Sequence, residues 1–163
     1  MKSMTVHVDV EIASDSATLP PVNEIARWPR RAIAAAGRDS DLEVSVRVVD
    51  EAEMQELNRN FRGRDKPTNV LSFPAGDIRG LPPDAGTPLG DIVVCAAVVS
   101  REAREQHKSL EDHWAHMLVH GTLHLLGFDH VEDADADVME RMETGILRDF
   151  GIANPYKESP RET

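Results

Sequence analysis

Two stretches of the chain alternate apolar and polar residues, which is the period of a half-buried β-strand. They cover residues 4–12 and 42–49. Two further strands are predicted over residues 70–73 and 90–95. The second of these is a near-continuous apolar run, as expected near the centre of a sheet. The pattern therefore predicts a sheet of four or five strands.

Apolar residues recur at helical spacing in the segments between and after these strands. The first such segment follows Pro20-Pro21 and carries Ile25, Trp28 and Ile33. About five helices are predicted, over residues 22–36, 51–62 and 96–106, then from residue 109 through the histidine-rich segment, and over residues 133–150. Strands interleaved with helices predict one α/β (α+β) domain with a mixed sheet.

The second predicted helix carries signals at its start and along one face. Asp50 followed by Glu53 has the acidic form of an N-cap with its capping partner. Met54, Leu57 and Phe61 then form a single apolar face.

The length of 163 residues suits one domain with its own hydrophobic core. The polar residues 154–163 are expected to be a flexible tail. Residues 74–89 are rich in Gly and Pro and too long for a simple turn, so this loop is either mobile or a functional flap.

The composition limits the kinds of partner and the cellular compartment that are expected for this protein. The net charge is −11, from 29 acidic and 18 basic residues, so any nucleic-acid site has to be a local basic patch on an acidic body. Cys95 is the only cysteine, which excludes an intramolecular disulfide and suits a reducing cytosol. No apolar run approaches the roughly 20 residues of a membrane span, and residues 1–14 lack the apolar core of a secretory signal. A cytoplasmic protein without membrane partners is expected.

Residues 120–130 contain three histidines at spacings of four and six. On a helix, residues four apart lie on one face, so His120 and His124 can direct their imidazoles at one point. Gly127 stands where a helix would end in a left-handed turn, and that turn can return the chain so that His130 supplies a third ligand. Three imidazoles without a fourth protein ligand are typical of a catalytic zinc site, which keeps a position for water or substrate.

Other interpretations of these residues stay open. A helical histidine pair can be packed and hydrogen-bonded without any metal. His116 lies one turn before His120, but a trio ending at His124 would span roughly 12 Å along the axis, too far for one ion with Zn–N bonds of roughly 2.1 Å. One zinc ion per chain is therefore assigned to His120, His124 and His130, although three imidazoles also bind nickel, cobalt or copper. Asp129 is expected either to orient an imidazole or to cap a helix.

The histidine spacing equals that of the metzincin proteases, H-E-x-x-H-x-x-G-x-x-H, at every position but one. In those enzymes the glutamate after the first histidine is the general base. Here that residue is Gly121, which cannot accept a proton. The metal scaffold is predicted without the protease chemistry.

Positive charge in this acidic chain is concentrated around the end of the second predicted helix, at Arg59, Arg62, Arg64 and Lys66. These cations can complement the dipole of a helix C-terminus. They can equally form an anion-binding loop, and the residues alone leave both interpretations open.

Three blocks of the chain, in order, resemble the YbeY family of bacterial endoribonucleases. The blocks are residues 61–74, residues 89–93 and the histidine segment 113–130. The resemblance covers most of the chain, from the first strand to the last helix. It is weakest in the Gly/Pro-rich loop and in the two tails.

The resemblance implies a zinc-dependent, single-strand-specific endoribonuclease that hydrolyses phosphodiester bonds in 16S rRNA 3′-end maturation and in quality control of the small ribosomal subunit. Residues 1–153 would then be one metal-dependent hydrolase domain. The implied partners are single-stranded RNA, the rRNA precursor, and small-subunit proteins or an assembly GTPase. The implied site residues are the metal ligands His120, His124 and His130 and the functional arginine Arg62. Arg59, Arg64 and Lys66 are predicted to contact RNA if the basic cluster forms an anion-binding loop.

Two competing functions remain at this level: another zinc hydrolase, and a non-catalytic ribosome-assembly factor whose zinc only stabilises the fold. Structural zinc sites usually have four protein ligands, often cysteines, and Cys95 lies outside the histidine motif. The open site therefore favours an enzyme. Its nucleophile stays open between the 2′-hydroxyl of RNA and water.

Overall fold

A computed structural model describes residues 6–37, 41–75, 87–128 and 133–152. Within these ranges there are four strands and five helices, as the hydrophobic pattern predicts. In chain order they are β1 (Val6–Ala13), α1 (Val22–Ala35), β2 (Leu42–Val49), α2 (Glu51–Arg62), β3 (Val70–Pro74), β4 (Thr87–Cys95), α3 (Ala96–Glu105), α4 (Leu110–Leu125) and α5 (Asp133–Asp149).

Some predicted features lie outside the described residues. They include the third ligand His130, its neighbour Asp129, most of the loop predicted over residues 74–89, and the tail predicted over residues 154–163.

The four strands form one mixed sheet in the order β1-β2-β4-β3. β1, β2 and β4 are parallel, while β3 pairs antiparallel with β4. The near-continuous apolar run of β4 thus lies inside the sheet, and the short β3 lies at its edge. The predicted α/β domain with a mixed sheet is confirmed.

Alternation along the strands divides the core between the two faces of the sheet. Even-numbered side chains such as Val46 and Ile92 join the larger core, together with residues of α1 and α4. Odd-numbered side chains such as Val49 and Val93 join a smaller core beneath Met54 of α2. The side of the sheet that faces α4 therefore carries the larger hydrophobic core, and the side that faces α2 carries the smaller one.

α4 is enclosed by the sheet and by three other helices, α1, α3 and α5. Its side chains are buried around the whole circumference, including Trp114, Leu118 and Leu123. A helix that is apolar all round belongs in the centre of a domain. The histidines of α4 therefore meet groups on neighbouring elements.

Asp50 is the N-cap residue of α2, as predicted, but the predicted capping hydrogen bond of its side chain is not formed. The carboxylate of Asp50 makes no cap hydrogen bond; it accepts instead from the hydroxyl of Ser14 and from the backbone N–H of Asp15. Glu53 accepts two hydrogen bonds from Arg47, at 2.7 and 3.0 Å. These donors come from the chain after β1 and from β2, and they replace the helix's own backbone N–H groups as partners of the two carboxylates.

Gly90 allows β3, β4 and the end of α4 to approach one another closely. Its φ is +147°, and it lies where the pairing of β2 with β4 shifts register. A Cβ atom at residue 90 would overlap the carbonyl oxygen of Phe73 and lie 2.7 Å from Cδ2 of Leu125. Leu125 directly follows the predicted ligand His124, so this contact fixes the end of α4 on the sheet.

Replacing Gly90 with alanine is expected to lower the free energy of unfolding by at least about 2 kcal/mol, because overpacking adds to backbone strain. A thermal melt should show a fall of at least about 4 °C for a domain of this size. Gly145→Ala is the matched control, since a Cβ there meets nothing within 4 Å and alanine favours the helix by about 1 kcal/mol. Equal melting temperatures for the wild type and Gly90→Ala would refute this account.

Candidate metal centre

Four histidines lie along α4 at spacings of three and four, and the first has a structural partner. Nε2 of His113 lies 2.8 Å from Oε1 of Glu102 on α3, and the side-chain amide of Asn69 donates to the same carboxylate. Burial raises the pKa of Glu102, but these hydrogen bonds outweigh it and leave the pKa below its usual value. This contact joins α3, α4 and the chain entering β3.

The second and third histidines share one carboxylate. Glu143 of α5 is fully buried. One of its oxygens lies 3.0 Å from Nε2 of His116, and the other lies 2.6 Å from Nδ1 of His120. Burial lowers the pKa of His116 more than the hydrogen bond to Glu143 raises it. In the tautomer with its proton on Nδ1, His120 donates a hydrogen bond to Glu143.

Glu143 is not among the predicted site residues, although the sequence carries a signal for it. It lies on the same helical face as Met139, Ile146 and Leu147, all of which are buried. A lone acidic residue inside an apolar stripe needs a buried partner. The histidines of α4 are that partner.

The third and fourth histidines face each other. Nε2 of His124 lies 3.1 Å from Nε2 of His120. Two imidazole nitrogens bound to one tetrahedral zinc at about 2.0–2.1 Å lie roughly 3.3 Å apart. With its proton on Nδ1, His120 has a lone pair on Nε2, and the separation of the two nitrogens is close to that required for a shared zinc ion.

Two overlapping groups can therefore hold a metal. One is the predicted site, in which the described part of the chain places His120 and His124 together. The other consists of His116, His120 and Glu143, whose ligand atoms lie within 4.8 Å of one another. In the second group His116 and Glu143 are buried, whereas His120 is partly exposed.

A cleft of about 290 Å³ opens beside the first group. His124 and Arg62 both line it, although they come from separate segments of the sequence. Gly127 also lines it, with a φ of +101° that marks the left-handed turn predicted at the end of the helix. The remaining lining residues are Ser72, Pro74 and Phe128.

The other predicted RNA contacts are at the surface around the end of α2. Arg59 forms an exposed ion pair with Asp65 at 3.7 Å, while Arg64 and Lys66 are exposed. α2 ends at Gly63 in a left-handed conformation, with Arg59 and Arg62 in its last turn. These arginines complement the helix dipole, and Arg62 also reaches the cleft.

Gly121 faces the sheet and not the cleft. A Cβ at this position would lie 3.1 Å from both Ile92 and Ser72, and the Ser72 hydroxyl donates to the Gly121 carbonyl at 2.9 Å. A larger residue at position 121 would require the side chains of Ile92 and Ser72 to shift by a few tenths of an ångström. The close packing of α4 on β3 and β4 therefore favours glycine where the proteases have their general base.

Comparison with known proteins places the chain in a family. The family model described as Endoribonuclease YbeY matches residues 10–151. The chain belongs to the YbeY endoribonuclease family. It is 50% identical over 161 residues to a protein of Alcanivorax borkumensis named Endoribonuclease YbeY, covering 98% of this chain and 91% of that protein. The resemblance of the three sequence blocks is confirmed.

The fold is similar to a solved structure as well. The solution structure of TM1509 from Thermotoga maritima matches with a TM-score of 0.53 and 26% sequence identity. The match covers 91% of this chain and 99% of that one. Within the described ranges, none of the helices has the length and apolarity needed to cross a bilayer.

Proposed function

We propose that this YbeY-family protein is a zinc-dependent endoribonuclease that cleaves single-stranded RNA. The observation that carries the proposal is the arrangement at the end of α4. His120 and His124 bring their Nε2 atoms to 3.1 Å, and His124 shares an open cleft with Arg62. A pair of metal-ligating nitrogens beside a cation is suited to a phosphodiester substrate.

We assign the metal to His120, His124 and His130, with one zinc ion per chain. The group of His116, His120 and Glu143 is the weaker choice for catalysis, because two of its residues are buried and none of the three lines the cleft. Glu143 then accepts a hydrogen bond from Nδ1 of His120, the ring nitrogen that does not bind the metal. Carboxylates commonly orient metal-bound imidazoles in this way. Asp129 remains a candidate for the same role at His130.

The residues divide the chemistry between them. Zinc in such a site supplies a Lewis acid for a phosphoryl oxygen or for the nucleophile. Arg62 binds the scissile phosphate with two parallel hydrogen bonds and offsets the charge that develops on it. Glu143 keeps the Nε2 lone pair of His120 directed at the metal. Arg59, Arg64 and Lys66 extend the positive surface along the RNA backbone.

The cellular role follows from the family and belongs to the same proposal. A single-strand nuclease of this kind would act in the cytoplasm on precursor 16S rRNA, in 3′-end maturation and in quality control of the small subunit. Small-subunit proteins or an assembly GTPase would then bring the acidic enzyme to its RNA. The net charge of −11 supports this requirement for a partner protein, because it weakens the binding of RNA to the enzyme alone.

Glu143 provides a test of the metal assignment. Glu143→Ala is expected to lower zinc affinity about 10- to 100-fold, because the orienting hydrogen bond to His120 is lost. Glu143→Gln keeps an acceptor oxygen of the same shape and should lose less. Competitive titration with a chromogenic chelator measures both. Glu140→Ala on the same helix is the control and should bind zinc like the wild type.

A different result would assign the metal to another set of ligands. If Glu143 were itself a ligand, Glu143→Gln and Glu143→Ala would lose zinc to the same large extent, since an amide is a poor zinc ligand. Thermal melts of the apo proteins separate this outcome from misfolding.

The activity itself is tested with purified wild type on a labelled single-stranded RNA, its duplex form and casein. The proposal predicts cleavage of the single strand alone, loss on chelation and recovery with zinc. Casein digestion would indicate another zinc hydrolase. Tightly bound zinc without cleavage of any substrate would favour the assembly-factor function.

A further inference from the structure

The sheet face opposite α4 carries an open groove of about 580 Å³ beside α2, which we call the aromatic groove. Its strand residues are all odd-numbered and so lie on one face of the sheet. α2 covers only one end of this face, where Met54 and Val93 pack. The groove is lined by Glu11, Ser45, Arg47, Glu53, Leu57, Phe61, Phe73, Asp91 and Val93.

Phe61 stands in this groove with 65% of its surface exposed. Its ring meets Phe73 edge to face, with centroids 5.1 Å apart and planes at 70°. The contact with Phe73 holds the ring in one orientation while leaving most of it open. A fixed, exposed aromatic ring is the type of surface on which unpaired nucleobases stack.

The charges of the groove suit a base better than a phosphate. Arg47 is held by Glu11 at 2.7 Å and by Glu53 at 2.7 Å, and these two carboxylates raise the pKa of its guanidinium. With Asp91 added, one positive and three negative groups give the lining a formal charge of −2. Such a lining repels phosphate, but its carboxylate oxygens can accept hydrogen bonds from base N–H groups.

The groove and the cleft are lined by neighbouring residues at one edge of the sheet. Phe61 and Phe73 line the groove, while their immediate neighbours Arg62 and Pro74 line the cleft. β3 is the edge strand at this side of the sheet. A single strand lying across this edge can place a phosphate at Arg62 and an adjacent base on the other side.

We propose that the aromatic groove is a nucleobase subsite, in which a base next to the scissile phosphate stacks on Phe61 and donates to the groove's carboxylates. This inference rests on the proposed RNA cleavage and deepens it. It also accounts for single-strand specificity, because a base within a duplex is not available to stack on protein.

The test compares wild type, Phe61→Ala and Phe61→Tyr on two single-stranded RNAs after mapping the cleavage site. One RNA is intact, and the other lacks the base next to the scissile phosphate. Phe61→Ala should reduce kcat/KM on the intact RNA about 5- to 100-fold and should not reduce it on the abasic RNA. Phe61→Tyr keeps the ring and should restore most of the activity. Val138→Ala, another exposed apolar residue on α5, is the control and should match the wild type.

A second readout does not depend on cleavage. Fluorescence anisotropy of a labelled 2′-O-methyl oligonucleotide measures binding by wild type and Phe61→Ala. Weaker binding by Phe61→Ala, without cleavage of natural RNA by wild type, would support the subsite and reject the proposed reaction. The subsite would be overturned if Phe61→Ala reduced cleavage of the intact and the abasic RNA equally. It would also be overturned if this variant reduced cleavage of neither RNA. Absence of both binding and cleavage in wild type would overturn both.

Discussion

His124→Ala is expected to purify without bound zinc and to cleave single-stranded RNA at least about 10³-fold more slowly than wild type. The variant removes one of the two nitrogens that lie 3.1 Å apart, and a Lewis acid contributes several kcal/mol to the stabilisation of a phosphoryl transition state. Elemental analysis and initial rates on the same preparations measure both effects. Zinc should also raise the melting temperature of wild type and leave that of His124→Ala unchanged.

His7→Ala is the matched control, because His7 is an exposed histidine on β1. It should retain full zinc and full activity. Activity shared equally by wild type, His7→Ala and His124→Ala would identify a contaminating nuclease. Full zinc in His124→Ala would place the metal elsewhere.

Arg62→Ala is expected to keep its zinc and to lose about 10²- to 10³-fold in kcat/KM, the usual effect of removing one group that stabilises transition-state charge. Arg62 lines the cleft with His124, and it lies on the exposed last turn of α2. Truncation should therefore change chemistry without changing the fold. Arg62→Lys should recover only part of the loss, because an ammonium group cannot reproduce bidentate binding.

Arg104→Ala controls for loss of a surface cation. Arg104 occupies the last turn of α3, as Arg62 occupies that of α2, and α3 leads into the opposite end of α4 from His124. Arg104→Ala should behave like wild type. Loss of zinc in Arg62→Ala, or equal losses in both arginine variants, would contradict the assigned role.

Much of the fold is predictable from the sequence because the hydrophobic pattern is unambiguous. The alternation in β2 places Val44, Val46 and Val48 in one core, and the continuous apolar run of β4 places it inside the sheet. The left-handed turn at Gly127 and the pairing of His120 with His124 follow equally from local rules. Each of these features depends on residues close together in sequence.

The features that sequence reasoning missed depend on contacts between distant segments. Glu143 lies 23 residues from His120, and nothing local to α5 shows which carboxylate meets the histidines. Phe61 belongs to the predicted apolar face of α2, yet it is exposed. The smaller core packs against Met54 and Leu57 of this helix and does not include Phe61. Asp50 binds donors from the chain after β1. The surroundings of Glu143, Phe61 and Asp50 are thus determined by residues that are distant in sequence and close in the fold.

An anomalous difference map from zinc-loaded crystals, recorded at the zinc absorption edge, would locate the metal. We predict one peak bonded to Nε2 of His120, Nε2 of His124 and an imidazole nitrogen of His130, with Glu143 still hydrogen-bonded to Nδ1 of His120. A peak bonded to Glu143 and His116 would contradict it and would make the metal a buried structural ion.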